Sequence, residues 1–242
     1  MNSDTPYNKP VKHVLVFDTE TTGKYNKKVR NIDEQPYVTQ LSYIIYNVET
    51  QTIKTHYNEY IKIPDHVVIS EEVTNISGIT REICDTKGIL IEEALQSFYQ
   101  AYHICDLIVA HNYEFDSTMM TIEYARHQDF LKGLCPTGRR LFHFEYMQER
   151  SIGKLCTMKS STTLCKLPPK TPRKYPPKSE QDKYKWPSLQ ELYGFLFPND
   201  EAIVGYHNAM VDVLATLKCY MKLQYNVHIT HEKVQECIEF MV

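Results

Sequence analysis

Three short stretches of this chain place acids and an imidazole just where an apolar run ends. The first is Asp18-Thr19-Glu20-Thr21-Thr22-Gly23, which follows the β-branched and aromatic run of residues 13–17. Such a run predicts a buried strand. Strand side chains alternate between faces, so Asp18 and Glu20 leave it on the same side. Two carboxylates that close repel each other unless a cation lies between them. Hard oxygen donors favour Mg2+ or Mn2+ over zinc or copper. Read alone, the pair fits equally well two solvated charges before a turn.

The second stretch is Ala110-His111-Asn112-Tyr113-Glu114-Phe115-Asp116, where the buried strand expected at 107–110 meets a helix expected from about Asp116 to His127. Asp116 either caps that helix or reaches a metal through water. His111 and Asn112 fit a bracing role better than a reacting one. The third is His207-Asn208-Ala209-Met210-Val211-Asp212, opening a long helix expected over 208–223. Positions five apart on a helix lie about 140° apart, so His207 shares a site with Asp212 only if it precedes the first turn. Asp212 stands among Ala209, Val213, Leu214, Ala215 and Leu217. A charge on a core-facing helix face is costly, and a metal would offset that cost.

The elements that must position these groups are legible in outline. Residues 38–48 and 53–63 are β-prone and joined by Glu49-Thr50-Gln51, which predicts a hairpin beside the first strand. Ile91, Leu95, Phe98 and Tyr102 recur at helical spacing. Ser188 caps a short helix carrying Leu189, Leu192, Phe195 and Leu196, and Thr230 is placed to cap a last one. Strands first and helices interleaved later predict a mixed sheet covered by helices. Residues 166–187 hold six prolines and seven Lys/Arg, which excludes helix and sheet interior. Their basic residues mix with Tyr175, Tyr184 and Trp186, so the segment is either a solvated spacer or a grip on a single strand.

Bulk composition narrows the classes. With 242 residues the chain can build one sizeable α/β core, and 42% hydrophobic with 24% charged residues is ordinary for a globular protein. A net charge of −3 leaves phosphate attraction to local basic patches such as Lys24, Lys27, Lys28 and Arg30, which directly follow the first acidic motif. The seven cysteines are scattered without a C-x-x-C pair, which argues against a disulfide framework and for a reducing compartment. Cys135, Cys156 and Cys165 with His143 match no common zinc spacing. No signal sequence and no bilayer-length apolar run are present, so a soluble intracellular protein, in cytoplasm or nucleus, is expected.

Taken in order, D-x-E-T-T-G after a strand, A-H-N-x-x-F-D after another, and H-x-x-x-x-D opening a late helix resemble the three exonuclease motifs of the DEDDh family. These are the DnaQ-like 3′→5′ exonucleases of the ribonuclease H-like superfamily, which include RNase T and the proofreading subunit of bacterial replicative polymerase. Ile76-Ser77-Gly78-Ile79-Thr80 is similar to the family's I-H-G-I-T stretch, with Ser77 in place of His, and Leu155-Cys156-Thr157-Met158 resembles a family strand. The long 166–187 insertion is the other departure.

The resemblance implies an α/β, ribonuclease H-like fold with a mixed central sheet, its first three strands antiparallel and the next parallel, flanked by helices. The expected organisation is an N-terminal tail over 1–11, an exonuclease domain over 12–226 and a C-terminal helix over 227–242. The resemblance further implies two Mg2+ (or Mn2+) ions held by Asp18, Glu20, Asp116 and Asp212, with His207 as general base. The expected partner is the 3′ end of single-stranded DNA or RNA, released as nucleoside 5′-monophosphates. Thr21 and neighbouring amides would bind the terminal 3′-hydroxyl. A homodimer or a polymerase partner stays open, and no membrane is expected. The competing reading is a non-catalytic binding module that retains the fold; such a module should have lost carboxylates, and this chain has lost none.

Overall fold

The computed structural model of the chain describes residues 10–171 and 176–230. The first apolar run becomes β1 (His13–Thr21), and the hairpin forms as β2 (Val38–Asn47) and β3 (Thr52–Tyr60), both pairings antiparallel. Gln51 at φ 53° supplies the left-handed residue of the hairpin turn. β3 stops at Tyr60, short of the expected residue 63: Ile61 N still donates to the Thr39 carbonyl, but Lys62 N and the Tyr60 carbonyl pair with Ile89 instead of β2, and Pro64 has no N–H to give a ladder.

Short helices α1 (Glu71–Ser77) and α2 (Arg81–Lys87) follow, then α3 (Ile91–Tyr102), β4 (Leu107–Ala110) and α4 (Tyr113–Arg126). Next come α5 (Gln128–Leu131), α6 (Phe144–Glu149), β5 (Gly153–Cys156) and α7 (Thr157–Cys165). The last described helices are α8 (Leu189–Leu196) and α9 (Ala209–Tyr225). β4 runs parallel to β1, β5 runs parallel to β4, and the sheet order is β3-β2-β1-β4-β5. The expected mixed sheet, antiparallel first and parallel after, is therefore the one observed.

Alternation along β1 divides the core in two. Leu15 and Phe17 pack with Phe98, Tyr102, Met119 and Met120 from α3 and α4. Val14 and Val16 pack on the other face with Val213, Leu217 and Tyr220 from α9. β2 lies between β1 and β3 with both faces covered, so it is buried at every position, and its polar side chains Gln40 and Ser42 are satisfied by donating to Asn58 Oδ1 of β3.

Some boundaries differ from the sequence reading. α4 begins at Tyr113 rather than near Asp116, because Asn112 adopts φ 68° and starts the helix directly after β4. Asp116 thus lies inside the first turn and is not its cap. Thr157-Met158 belong to α7, so the expected strand there ends at Cys156. The short helices α1, α2, α5 and α6 are too brief to show periodicity in sequence. Ser188 caps α8 with a full capping box to Glu191. The described parts of 166–187 are irregular apart from a 3-10 turn at Gln181–Lys183. Of the C-terminal helix expected over 227–242, residues 227–230 are irregular, and the rest, like Tyr175, lies outside the described residues. The six described cysteines are all free thiols. Among the described residues no helix is long and apolar enough to cross a membrane.

Candidate active site

β1 carries Asp18 and Glu20 past the apolar core, on the face that α9 covers. Between them Thr19 points to the α4 side. Its N–H and hydroxyl both donate to Asp116 Oδ1, at 3.0 and 2.9 Å. One turn of α4 thereby presents its carboxylate to the end of β1.

The third element is the start of α9. Asn208 caps it, accepting from Met210 N at 3.2 Å, and Ala209 N donates to Gln40 Oε1 of β2 at 3.1 Å. His207 stands before the first turn at φ 68°, and its N–H donates to Asp212 Oδ2 at 3.2 Å. That geometry brings ligand atoms of Glu20, His207 and Asp212 within 4.8 Å of one another. Asp212 Oδ1 is buried and has no hydrogen-bond partner.

The electrostatics are those of an uncompensated acid cluster. Burial first, then Asp116, Asp212 and Glu20, hold Asp18 well above the usual carboxylate range. Burial, with Asp212 and Asp116, pushes Glu20 up to about 8. Asp116 is raised to about 7 by burial, against the lowering effect of the Thr19 bonds, and Asp212 to about 6 by burial. Among the described residues no lysine or arginine forms an ion pair with any of the four. Carboxylates so placed stay protonated or take a divalent cation. The all-oxygen acid set and the orphaned Asp212 Oδ1 fit a hard divalent cation such as Mg2+ or Mn2+.

The surroundings are braced. His111 meets Thr157 Oγ1 at 3.0 Å and the Pro187 carbonyl at 3.1 Å. The carbonyl can only accept, so Nε2 carries the proton and Nδ1 accepts from the hydroxyl. Burial lowers the His111 pKa to about 4, keeping the ring neutral in this role. Asn112 contributes its left-handed backbone and no side-chain capping bond.

The loop after β1 is closed at its neck by Thr22 N to the Tyr37 carbonyl (2.9 Å) and Tyr37 N to Thr22 Oγ1 (3.0 Å). Arg126 of α4 clamps it, donating to the carbonyls of Ile32, Gln35 and Pro36 while lying 3.7 Å from the Tyr37 ring centre. Lys24, Lys27, Lys28 and Arg30 are exposed on this loop, and Lys27 stands in electrostatic reach of Glu114 on α4. Thr21 donates its hydroxyl proton to the Gly23 carbonyl at 2.7 Å, so only its oxygen and the nearby backbone are left for a ligand.

The structure therefore gathers Asp18, Glu20, Asp116, Asp212 and His207 at one end of the sheet. Sequence reasoning missed Thr19, Gln40 and Arg126 as the groups that steer them. Gln40, an amide inside a strand-like run, was the one such signal available.

A family model described as exonuclease, of the RNase T type, matches residues 15–220. E. coli exonuclease I in complex with a dT13 oligonucleotide superposes with a TM-score of 0.59 at 16% identity, covering 89% of this chain and 42% of that one. Exonuclease I in complex with the inhibitor BCBP gives 0.60 at 16% identity, over 90% and 42%. Exonuclease I from Methylocaldum szegediense gives 0.57 at 16% identity, over 89% and 41%. The chain thus spans less than half the length of these enzymes. No curated protein matches it in sequence. The acid-ended β1, the sheet order and the family match over most of its length agree, and the chain belongs to the RNase T exonuclease family, with the DnaQ-like, ribonuclease H-like fold.

Proposed function

We propose that the chain is a metal-dependent 3′→5′ exonuclease of the DEDDh type, acting on single-stranded DNA or RNA and releasing nucleoside 5′-monophosphates. The observation that carries this is Asp212 Oδ1: buried, without a partner, and part of a carboxylate that closes with Glu20 and His207 to within 4.8 Å. The oligonucleotide complexes of the structurally similar exonuclease I also favour a single-stranded substrate.

Two divalent cations, when bound, would supply charge to the entering and departing oxygens of an in-line displacement at phosphorus. Asp18, Glu20 and Asp212 would hold one, Asp18 chiefly the other, with Asp116 acting through solvent. His207, exposed beside Asp212, takes the proton of the attacking water at a ring nitrogen. Lys24, Lys27, Lys28 and Arg30 meet incoming phosphates. The backbone at Thr21 receives the terminal 3′-hydroxyl, which favours attack at an end.

The test labels the 5′ end of single-stranded DNA and RNA and adds Mg2+ or Mn2+. The expected result is a ladder shortening from the 3′ end, abolished by EDTA and by Asp18→Ala. Internal cleavage of a strand with a blocked 3′ end, or activity indifferent to chelator, overturns the proposal. Tight strand binding with no hydrolysis under any divalent metal would favour a binding module instead.

A further inference from the structure

Trp186 is the single tryptophan of the chain, and it is 56% exposed. Its neighbours on both sides are tied down. Lys185 donates its amide to the Leu167 carbonyl at 2.9 Å and its ammonium to both Glu191 oxygens at 2.5 and 2.7 Å. The Pro187 carbonyl is held by His111 at 3.1 Å, and Ser188 closes the capping box of α8. The backbone under the ring is thus fastened to the end of β4 and to α8, while the ring stands in water. A solvated spacer has no need of such a frame. A rigidly mounted aromatic, by contrast, loses little freedom when a flat partner covers it.

The charge around the ring is mostly positive. Lys159 lies 5.8 Å from the ring centre and pairs with Glu114 at 3.0 Å. Lys27, from the loop after Asp18 and Glu20, and Lys154 also act on Glu114. One carboxylate among three lysines leaves a basic rim. Glu114 belongs to the same first turn of α4 as Asp116, so ring and rim lie at the carboxylate end of the sheet. An exposed ring beside lysines is the pairing that holds single strands by base stacking and phosphate contact.

We propose that Trp186 is a stacking platform for a nucleobase of the strand whose end lies among the carboxylates, with Lys159 and Lys27 holding adjacent phosphates. This inference rests on the nuclease reading of the site and narrows it. The strand is unpaired where it crosses Trp186, because a base inside a duplex already has both faces covered.

The full chain provides its own probe. In Ca2+, tryptophan fluorescence is titrated with a thymidine oligonucleotide and with an abasic sugar-phosphate strand of equal length. Binding is followed in parallel by the anisotropy of a label on the 5′ end. Stacking should cut the emission on the order of two-fold for the thymidine strand and leave it nearly unchanged for the abasic one. In Mg2+, Trp186→Ala should raise KM by roughly 5- to 100-fold, more than it lowers kcat, and Trp186→Phe should recover most of the loss. A strand that binds by anisotropy without altering the emission, together with an unchanged KM for Trp186→Ala, overturns the platform and leaves the nuclease reading intact. Quenching by the thymidine strand without hydrolysis in Mg2+ or Mn2+ overturns the nuclease reading and supports the platform. No binding of either strand overturns both.

Discussion

Thr19 gives both its amide proton (3.0 Å) and its hydroxyl proton (2.9 Å) to one carboxylate oxygen of Asp116, a residue 97 positions away. The contact joins β1 to α4 between the two acids of the first motif and opposes the upward push of burial on Asp116. Thr19→Val keeps the shape and the amide and removes the hydroxyl. The Mg2+ concentration needed for half-maximal hydrolysis should rise about 10- to 100-fold, the usual effect of losing a group that orients a metal ligand. An unchanged metal requirement in a rate titration would show that Thr19 does not steer Asp116.

The acid cluster also makes stability depend on pH. Glu20 at about 8, Asp116 at about 7 and Asp18 well above its ordinary value all exceed what the unfolded chain would show. A carboxyl raised in the folded state contributes stability at low pH that is lost as pH rises through the folded pKa. His111, lowered to about 4, has the opposite sign, but only below the pKa of a free imidazole. In EDTA the melting temperature should therefore fall from about pH 6.5 to pH 8.5, where His111 is neutral in both the folded and the unfolded chain and no longer contributes. Mg2+ should restore more of it at the upper end. A melting temperature in EDTA that climbs with pH across this window would contradict the cluster's electrostatics.

Asp212→Asn separates repulsion from ligation. Asp212 repels Glu20 and Asp18, so its neutral isostere should hold or raise the melting temperature in EDTA. The same change should abolish hydrolysis and most of the Mg2+-induced rise. Retained hydrolysis would remove Asp212 from the ligand set.

His207→Ala should slow turnover by ~10²–10⁴-fold, the worth of a general base. Since His207 is exposed, its loss should leave the melting temperature nearly unchanged. A rate within a few-fold of wild type, measured at saturating strand and metal, would assign the water's proton elsewhere.

Arg126 and Glu123 form a buried ion pair at 2.8 Å, with side chains 3% and 2% exposed. Glu123 also accepts from Val38 N at 2.9 Å. Arg126→Ala strands that carboxylate and frees the carbonyls of Ile32, Gln35 and Pro36, and should cost about 3–5 kcal/mol in denaturant melts. Arg126→Lys should recover only part, since an ammonium lacks the planar fork that reaches several carbonyls at once. Full recovery by lysine would reduce the clamp to simple charge pairing.

The sequence alone determined the first four strands, the long helices and the acids at their ends. Alternation in β1 and helical spacing in α3 are local consequences of residue order, and an acid just beyond an apolar run is visible without any contact. Ser188 announced its helix for the same reason. What only the tertiary structure decided is how these pieces meet: that Thr19 holds Asp116, that Gln40 anchors the start of α9, and that Arg126 clamps the basic loop. Asp116 was legible as an acid, but the choice between cap and ligand stayed open and the helix start was placed three residues late, because the left-handed turn at Asn112 that sets that start depends on how the chain leaves β4. Trp186 belongs to the same class, its place beside His111 and Lys159 being fixed by bonds to residues far away in the chain. Buried polar pairs are made between distant segments, and their energy exists only once water has been excluded around both partners.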